Sequence, residues 1–235
     1  MFTHNHEYRG LFGDLQRLYE DSIRYYQVDD QTVYPGVTSV LSFINRGKFA
    51  DWRARVGNEE ANRITKKSTT RGTKLHRVFE EYLLNEDYTK LPEFEVPLIQ
   101  LMFNSAKSKI DKRFDNIYQI ETRMSSSRLC LAGTVDLICE VDGELAVVDF
   151  KTSKDTKPEE WLEDYFVQLS AYWAMFSERT GVVPKKLVVF LVAENGEVQV
   201  VERRNVLDYL STLQDYVTQF IQYRDANTQG NRSSN

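Results

Sequence analysis

The stretch "GTVDLICEVDGELAVVDFKTSK", residues 133–154, carries charged residues inside two strand-like apolar runs. Asp142-Gly143 lies between the runs and is a strong signal for a two-residue hairpin turn. With that turn, the ladder places Asp136 opposite Asp149 on one face of the sheet, with Cβ atoms about 4.5–5.5 Å apart. Lys151, two residues further on, returns to the same face.

Two carboxylates that face each other repel, and burial without a counter-ion raises the cost further. A positive group between them is therefore expected. Lys151 is one candidate, and a divalent cation is the other, since paired carboxylates are ligands for hard cations. A buried Asp–Lys pair without metal, or a solvated sheet edge, explains the same residues, and geometry alone leaves these alternatives open.

Length and composition indicate one globular domain: 235 residues, 41% hydrophobic and 28% charged. The sequence contains no run of 18 apolar residues, so it predicts no membrane-spanning helix. Two cysteines, Cys130 and Cys139, exclude a disulfide framework and a four-cysteine zinc or iron–sulphur site. The N-terminus has no secretory or transit features, so we expect a cytoplasmic location, in a bacterial or phage-infected host cell.

Charge is unevenly distributed within a chain of net charge -5. Residues 46–77 carry ten basic side chains against three acidic ones. A solvated helix face is the ordinary explanation of such a run. The basic side chains are Arg46, Lys48, Arg53, Arg55, Arg63, Lys66, Lys67, Arg71, Lys74 and Arg77.

The pattern along the chain predicts a mixed sheet flanked by helices. We expect a hairpin over 24–36, short helices over 37–44 and 50–67, and a helix over 72–84 with Thr73 as its N-cap. Next we expect a further helix, then strands over 116–124, 128–141 and 144–152, and a helix directly after Pro158. A hairpin with an Asn-Gly turn and a C-terminal helix complete the order.

Three side chains outside the opening stretch are candidates for the site. His76 is a potential ligand that Glu80, one turn along, would orient, although a lone histidine is more often structural. Gln168 and Tyr172 lie one helical turn apart, where an amide and a ring can contact a phosphate and a base. The helix also carries core residues such as Leu169, and Tyr172 fits that core equally well.

Taken in order, these motifs resemble the PD-(D/E)XK nuclease superfamily, and more narrowly its RecB-type exonuclease branch. The matching elements are "RGTKLH" (71–76), "GTVDL", "VVDFKTSK" and "QLSAY" (168–172). Asp149 in "VVDFKTSK" lies thirteen positions after Asp136 in "GTVDL". "YPGVTSVL" (34–41) resembles the lead-in of the branch, and Val135 replaces the usual proline. Its small single-domain members, similar to phage exonucleases and the mitochondrial genome-maintenance exonuclease, fit best in length.

The resemblance implies a restriction-endonuclease-like α/β domain with a central mixed sheet and an N-terminal helical cover. We expect one nuclease domain over 1–225 and a disordered tail over 226–235. Within the domain, the basic helical cover spans about 37–71, the catalytic core about 72–203 and the C-terminal helix about 205–224.

The resemblance also implies the roles of the site residues. His76, Asp136, Asp149 and the backbone carbonyl of Phe150 would bind Mg²⁺ or Mn²⁺, without an iron–sulphur cluster. Lys151 would position or help deprotonate the attacking water. The expected DNA contacts are Gln168, Tyr172, Thr152 and, in the basic cover, Trp52, Arg63, Lys66, Lys67 and Arg71. Glu121 is expected to be peripheral, since a hairpin through "SSS" pairs it near Leu131.

The implied function is that of a metal-dependent DNA exonuclease in replication, recombination or repair. Basic helices with interleaved aromatic residues favour single-stranded DNA or free ends as the substrate. Two alternatives remain at this point: an endonuclease on the same core, and a catalytically silent DNA-binding module.

Overall fold

The structure, a computed structural model, describes residues 1–8, 10–21 and 23–232, with side chains described as far as residue 226. The strands are β1 (Gln16–Glu20), β2 (Ile23–Gln27), β3 (Val33–Pro35), β4 (Phe114–Ser126), β5 (Leu131–Val141), β6 (Glu144–Ser153), β7 (Lys186–Ala193) and β8 (Val198–Arg203). The α-helices are α1 (Val37–Ile44), α2 (Arg46–Val56), α3 (Asn58–Leu83), α4 (Pro97–Arg113), α5 (Glu163–Thr180) and α6 (Val206–Arg232).

The central sheet is mixed, as the sequence predicts. Its five strands lie in the order β4-β5-β6-β7-β8, and every neighbouring pair is antiparallel except β6 and β7. The crossover between the parallel strands contains α5. This arrangement, flanked by helices, is the restriction-endonuclease-like α/β architecture expected from the sequence.

The turn between β5 and β6 has the predicted two residues. Asp142 and Gly143 both adopt positive φ, 52° and 77°, as a type I′ hairpin turn requires. The ladder runs from Val141–Glu144 to Leu137–Val148 in the expected register. One step further, the Asp136 carboxylate accepts a hydrogen bond from the Phe150 backbone N–H at 2.8 Å. The two strands therefore bring Asp136 to the backbone of the residue after Asp149.

Each face of the sheet carries its own apolar core, because neighbouring strand residues face opposite sides. Leu75, Phe79 and Phe103, from α3 and α4, pack with Phe150 on one face. Side chains of α1, α5 and α6 cover the other face, on which Val147 and Val189 lie. Asp149 and Phe150 therefore face opposite sides of the sheet, Asp149 toward α5 and Phe150 toward α3.

Helix α3 is longer than predicted, and this corrects one boundary. The predicted helix start at residue 72 with Thr73 as the N-cap is wrong, since α3 runs without a break from Asn58. Buried side chains from Ala61 to Leu83, among them Arg71 in its ion pair with Glu194, stabilise the long helix. The break lies at Gly57 instead, where φ 85° and ψ 149° favour glycine. The predicted boundary at 71/72 between cover and core therefore falls inside one helix.

The N-terminal segment contains a three-stranded antiparallel sheet, β1-β2-β3. The β2–β3 hairpin was predicted and β1 was not. The small sheet lies against β5, where Gly36 forms a bridge to Ala132.

Three other boundaries differ from the prediction. Strand β5 begins at Leu131 and not at residue 128, because Ser127–Cys130 form the turn. A short 3-10 helix, Glu159–Trp161, separates Pro158 from α5. Helix α6 continues to Arg232, past the predicted tail boundary, while 233–235 lie outside the described residues. Among the described residues, no helix is long and apolar enough to cross a membrane.

Candidate active site

His76, Glu121 and Asp136 form a cluster between α3 and the sheet. His76 Nε2 lies 2.8 Å from the Phe150 carbonyl oxygen. A carbonyl can only accept, so Nε2 carries the hydrogen and neutral His76 has its lone pair on Nδ1. Nδ1 lies 3.7 Å from Glu121 Oε1 and 3.7 Å from Asp136 Oδ2. The donor atoms of the three side chains all lie within 4.8 Å of one another.

Glu121 was expected to be peripheral to the site, and this prediction is wrong, since Glu121 belongs to the cluster. Ile120 pairs with Leu137 and Thr122 with Val135, so Glu121 stands opposite Asp136. The prediction was wrong because the β4–β5 turn is Ser127–Cys130, which shifts the register from the one that "SSS" implies. Glu121 also has φ 44°, in the left-handed region that a non-glycine residue rarely adopts. Counting the turn as four residues would have found it from the sequence.

The cluster is electrostatically unbalanced. Burial lowers the pKa of His76, but Asp136 and Glu121 outweigh burial and raise that pKa to about 9. Without metal the imidazole is therefore held as a cation between two carboxylates. A divalent cation would replace that proton with a larger positive charge, which is the behaviour expected of a metal site.

Glu80 does not orient His76. It accepts a hydrogen bond from Arg77 at 2.7 Å, within the same turn of α3. The Phe150 carbonyl oxygen fixes the imidazole instead. Sequence spacing favoured Glu80 as the group that orients His76. A backbone carbonyl could not be predicted for this role, because every residue type carries one.

Asp149 and Lys151 form an ion pair beside this cluster, on the α5 side. Asp149 is only 2% exposed, and its Oδ2 lies 2.5 Å from Lys151 Nζ. Burial raises the pKa of Asp149 to about 6, with Lys151 lowering it and Asp136 raising it. Burial lowers the pKa of Lys151, but Asp149 and Asp136 raise it overall, so the lysine stays an ammonium ion.

Gln168 and Tyr172 belong to the buried wall of the site. Gln168 Nε2 donates to Asp149 Oδ1 at 3.3 Å, and its Oε1 lies 3.5 Å from Lys151 Nζ. Tyr172 is 2% exposed and packs over Gly133, where a Cβ would lie 2.7 Å from its Cε1 atom. Burial raises the pKa of Tyr172 well above its usual value, so its hydroxyl stays protonated. Their expected contact with DNA stays a prediction.

The donor set fits a hard divalent cation. Carboxylate oxygens with one imidazole nitrogen are ligands that Mg²⁺ and Mn²⁺ accept. The fixed tautomer of His76 presents Nδ1 to the two carboxylates, and the hydrogen bond on Nε2 orients the ring as outer partners of metal ligands do. Asp149 and the Phe150 carbonyl were expected as further ligands. The Phe150 backbone N–H donates to Asp136, so Phe150 and the preceding Asp149 lie beside the cluster.

An open cleft of about 430 Å³ gives access to the cluster. Its walls come from α3, from Glu121 on β4 and from Arg17 on β1. A second cleft, of about 390 Å³, lies further round α3 and combines basic side chains with the apolar residues Val96, Leu98 and Ile99. Four of the DNA contacts expected in the basic cover line this second cleft: Arg63, Lys66, Lys67 and Arg71.

Several of those basic side chains already have acidic partners. Arg71 and Lys67 both pair with Glu194, and Arg63 pairs with Glu60. Trp52 lies on α2, away from these pairs, with its ring 5.2 Å from that of Phe49. Thr152 lies next to α3, where a Cβ on Gly72 would be 3.6 Å from its Oγ1 atom.

The sequence model of the PD-(D/E)XK nuclease superfamily matches residues 49–232. The chain therefore belongs to the PD-(D/E)XK nuclease superfamily, whose members use divalent metals and act on DNA. Comparison with curated protein sequences gives no match.

Solved structures that are similar to this one include the following two. The crystal structure of SSO0001 has a TM-score of 0.45 and 15% identity, covering 85% of this chain and 79% of that chain. A protein of Eubacterium rectale described as a "Putative exonuclease" has a TM-score of 0.45 and 14% identity, covering 66% of this chain and 65% of that chain.

Proposed function

We propose that this nuclease is a Mg²⁺- or Mn²⁺-dependent DNA exonuclease that acts on single strands or free ends. The observation that carries the proposal is the cluster of His76, Glu121 and Asp136 beside the Asp149–Lys151 pair. A chain of this superfamily has no structural need for three acids, a histidine and a lysine at one point of its sheet. Like charges this close are tolerated where a cation is bound.

The metal ligands in this proposal are His76, Asp136 and Asp149, with Glu121 completing the set. The Phe150 carbonyl, expected as a ligand, accepts the His76 Nε2–H instead, on the far side of the ring from Nδ1. When bound, a divalent ion there supplies polarisation of the scissile phosphate and compensation of its developing charge. His76 contributes Nδ1 because its Nε2–H is held by a backbone carbonyl. A single domain comprising residues 1–225 carries the whole site.

Lys151 has the role of handling the attacking water. Its ammonium is held by Asp149, and the raised pKa of Lys151 favours donating a hydrogen bond over accepting a proton. We therefore assign it to positioning the water or a phosphate oxygen. Gln168 orients Asp149 by donating to Oδ1, which leaves Oδ2 for the lysine.

The preference for single strands or ends rests on the surface around the cleft. Helices α2 and α3 combine basic residues with the aromatic pair Phe49 and Trp52. Phe49 is 48% exposed, and exposed rings among basic side chains suit unpaired bases. Lys66 and Lys74, on the second cleft, would neutralise phosphates of the same strand, with Arg63, Lys67, Arg71 and Thr152 nearby. For such a substrate we propose a role in replication, recombination or repair, in the cytoplasm.

The mode of cleavage is tested by comparing a linear single strand with a covalently closed circle of the same sequence, in Mn²⁺. An exonuclease needs an end, so the linear strand is expected to shorten progressively while the circle persists. Strands labelled at either end report where digestion starts.

The two alternatives give different results in the same experiment. Cutting of the circle at a rate like that of the linear strand would establish an endonuclease on this core. Retention of both substrates, with DNA binding intact, would establish a silent binding module and contradict the proposed activity.

A further inference from the structure

The cleft above His76 and Glu121 is lined by two arginines, and they differ in how their charges are compensated. Arg77 pairs with Glu80 and with Glu81, on its own helix. Arg17 has no carboxylate within ion-pair distance in the described part of the chain. Its hydrogen-bond partner there is a neutral hydroxyl, Thr134 Oγ1, at 2.8 Å. Arg17 is thus the uncompensated cation of the cleft.

Arg17 is held at this position by the small N-terminal sheet. It lies on β1 and pairs with Tyr26 on β2, whose ring is 1% exposed. The Tyr26 hydroxyl lies 3.4 Å from the same Thr134 Oγ1, and the guanidinium carbon of Arg17 lies 6.0 Å from the Tyr26 ring centre. The backbone pairing fixes the position of Arg17 on β1, and Thr134 and the Tyr26 ring contact its guanidinium, while the residue remains exposed to solvent.

Thr134 connects Arg17 to the metal cluster. It precedes Asp136 by two positions on β5, so the two side chains leave the strand on the same face, roughly 7 Å apart along it. Arg17, His76 and Glu121 line one cleft. A group bound in that cleft can therefore touch the guanidinium and the cluster together.

We propose that Arg17 binds a phosphate of the substrate strand next to the bond that is cut. This inference rests on the proposed function and adds a substrate-binding residue to it. Arg17 lies outside residues 49–232, the part of the chain that matches the superfamily. The N-terminal sheet thereby becomes one wall of the active site and does more than cover the end of β5.

A phosphate is the ligand that best fits the observations. The planar guanidinium offers paired N–H donors that match two phosphate oxygens, and one of its nitrogens is already anchored on Thr134. A neighbouring carboxylate would have neutralised the charge, and none of the described carboxylates does so. The acidic cluster repels the strand, so a cation at its edge offsets that repulsion.

The test compares Arg17→Ala, Arg17→Lys and wild type in steady-state digestion of a linear single strand with Mn²⁺. Arg128→Ala is the matched control, since Arg128 is exposed and lies on a separate cavity with Trp173 and Glu178. Each protein is also given strands in which one phosphate near the cut is replaced by an uncharged methylphosphonate.

We expect Arg17→Ala to lower kcat/KM roughly 10- to 100-fold, the usual range for losing a hydrogen bond to a charged group. Arg17→Lys should retain part of the activity, and Arg128→Ala nearly all of it. One methylphosphonate position should slow the wild type strongly and add little to the defect of Arg17→Ala, because the contact is already gone.

Two results would overturn the inference while leaving the nuclease intact. One is equal kcat/KM for Arg17→Ala and Arg128→Ala. The other is a loss of activity in Arg17→Ala with the same methylphosphonate sensitivity as wild type at every position, which would mean a purely structural role. If wild type itself cleaves nothing, the proposed function fails independently of Arg17.

Discussion

Glu121 is the residue at which the site departs most from what its sequence indicates. Its backbone has φ 44°, and its carboxylate lies 3.7 Å from His76 Nδ1. A strained backbone conformation at a non-glycine residue costs about 1–3 kcal/mol and is characteristic of functional sites. We interpret the strain as the means by which β4 turns this carboxylate toward the cluster.

The role of Glu121 in metal binding is tested by its replacement with glutamine. Glu121→Gln removes a charged oxygen ligand and should weaken Mn²⁺ binding by at least roughly tenfold, measured by titration calorimetry. Glu80→Gln is the control, because Glu80 lines the same cleft but pairs with Arg77. Equal Mn²⁺ affinity in Glu121→Gln and wild type would remove Glu121 from the ligand set.

The turn between β5 and β6 could be predicted from the sequence because a local rule governs it, although the ladder ends at Leu137–Val148, before the predicted pair of Asp136 and Asp149. Asp142-Gly143 selects a two-residue turn, and the turn then fixes the β5–β6 register. Glu121 could not be placed in the same way. The Ser127–Cys130 turn has no comparable signature, and Cys130 adopts φ 51° without being glycine or asparagine.

At the scale of elements, the contact between β5 and α5 carries the wall of the site. Gly133 on β5 lies under the Tyr172 ring on α5, and Gln168, one turn before Tyr172, reaches Asp149. The lack of a side chain at residue 133 therefore sets how closely α5 approaches the sheet. This close approach gives a physical reason for glycine at the start of "GTVDL".

Gly133→Ala should destabilise the protein, because its Cβ would lie 2.7 Å from Cε1 and 2.9 Å from the hydroxyl oxygen of buried Tyr172. We expect a loss of about 1–3 kcal/mol in the free energy of unfolding, measured in urea. Gly47→Ala, on α2, is the matched control, since nothing lies within 4 Å of a Cβ there. It should leave stability unchanged or raise it slightly. Equal stabilities of the two variants would contradict this packing.

The extent of α3 illustrates a limit of local reasoning about elements. Thr73 is an acceptable N-cap and Gly72 an acceptable break, so the sequence favoured a helix start at that point. Buried residues of α3 extend back past this point to Arg71 and Ala61, however, and tertiary packing prolongs the helix to its N-cap at Gly57. His76 consequently lies in the interior of a rigid helix and not near a fraying end.

At the scale of the whole molecule, the site lies where two helical layers and a small sheet meet. Helix α3 contributes His76, the sheet contributes the carboxylates, and α5 contributes Gln168. The class of fold was predictable because element order and periodicity determine it. The N-terminal sheet was only half predicted, since the exposed strand β1 carries little apolar alternation. The role that we propose for this sheet, through Arg17, could be inferred only from the three-dimensional structure.

The proposed function requires the cluster around Asp136 to perform metal-dependent hydrolysis of DNA. The most direct test is the rate at which wild type and Asp136→Asn degrade a linear single strand in Mn²⁺, with Asp30→Asn as control. Asp30 is exposed in the β2–β3 turn, so its replacement should not matter. The amide at residue 136 can still accept from the Phe150 N–H, so the fold should persist.

We expect Asp136→Asn to be slower than wild type by at least roughly 100-fold, Asp30→Asn to equal wild type, and chelation of the metal to stop all three. Degradation by Asp136→Asn at the wild-type rate would refute the role of this cluster in hydrolysis.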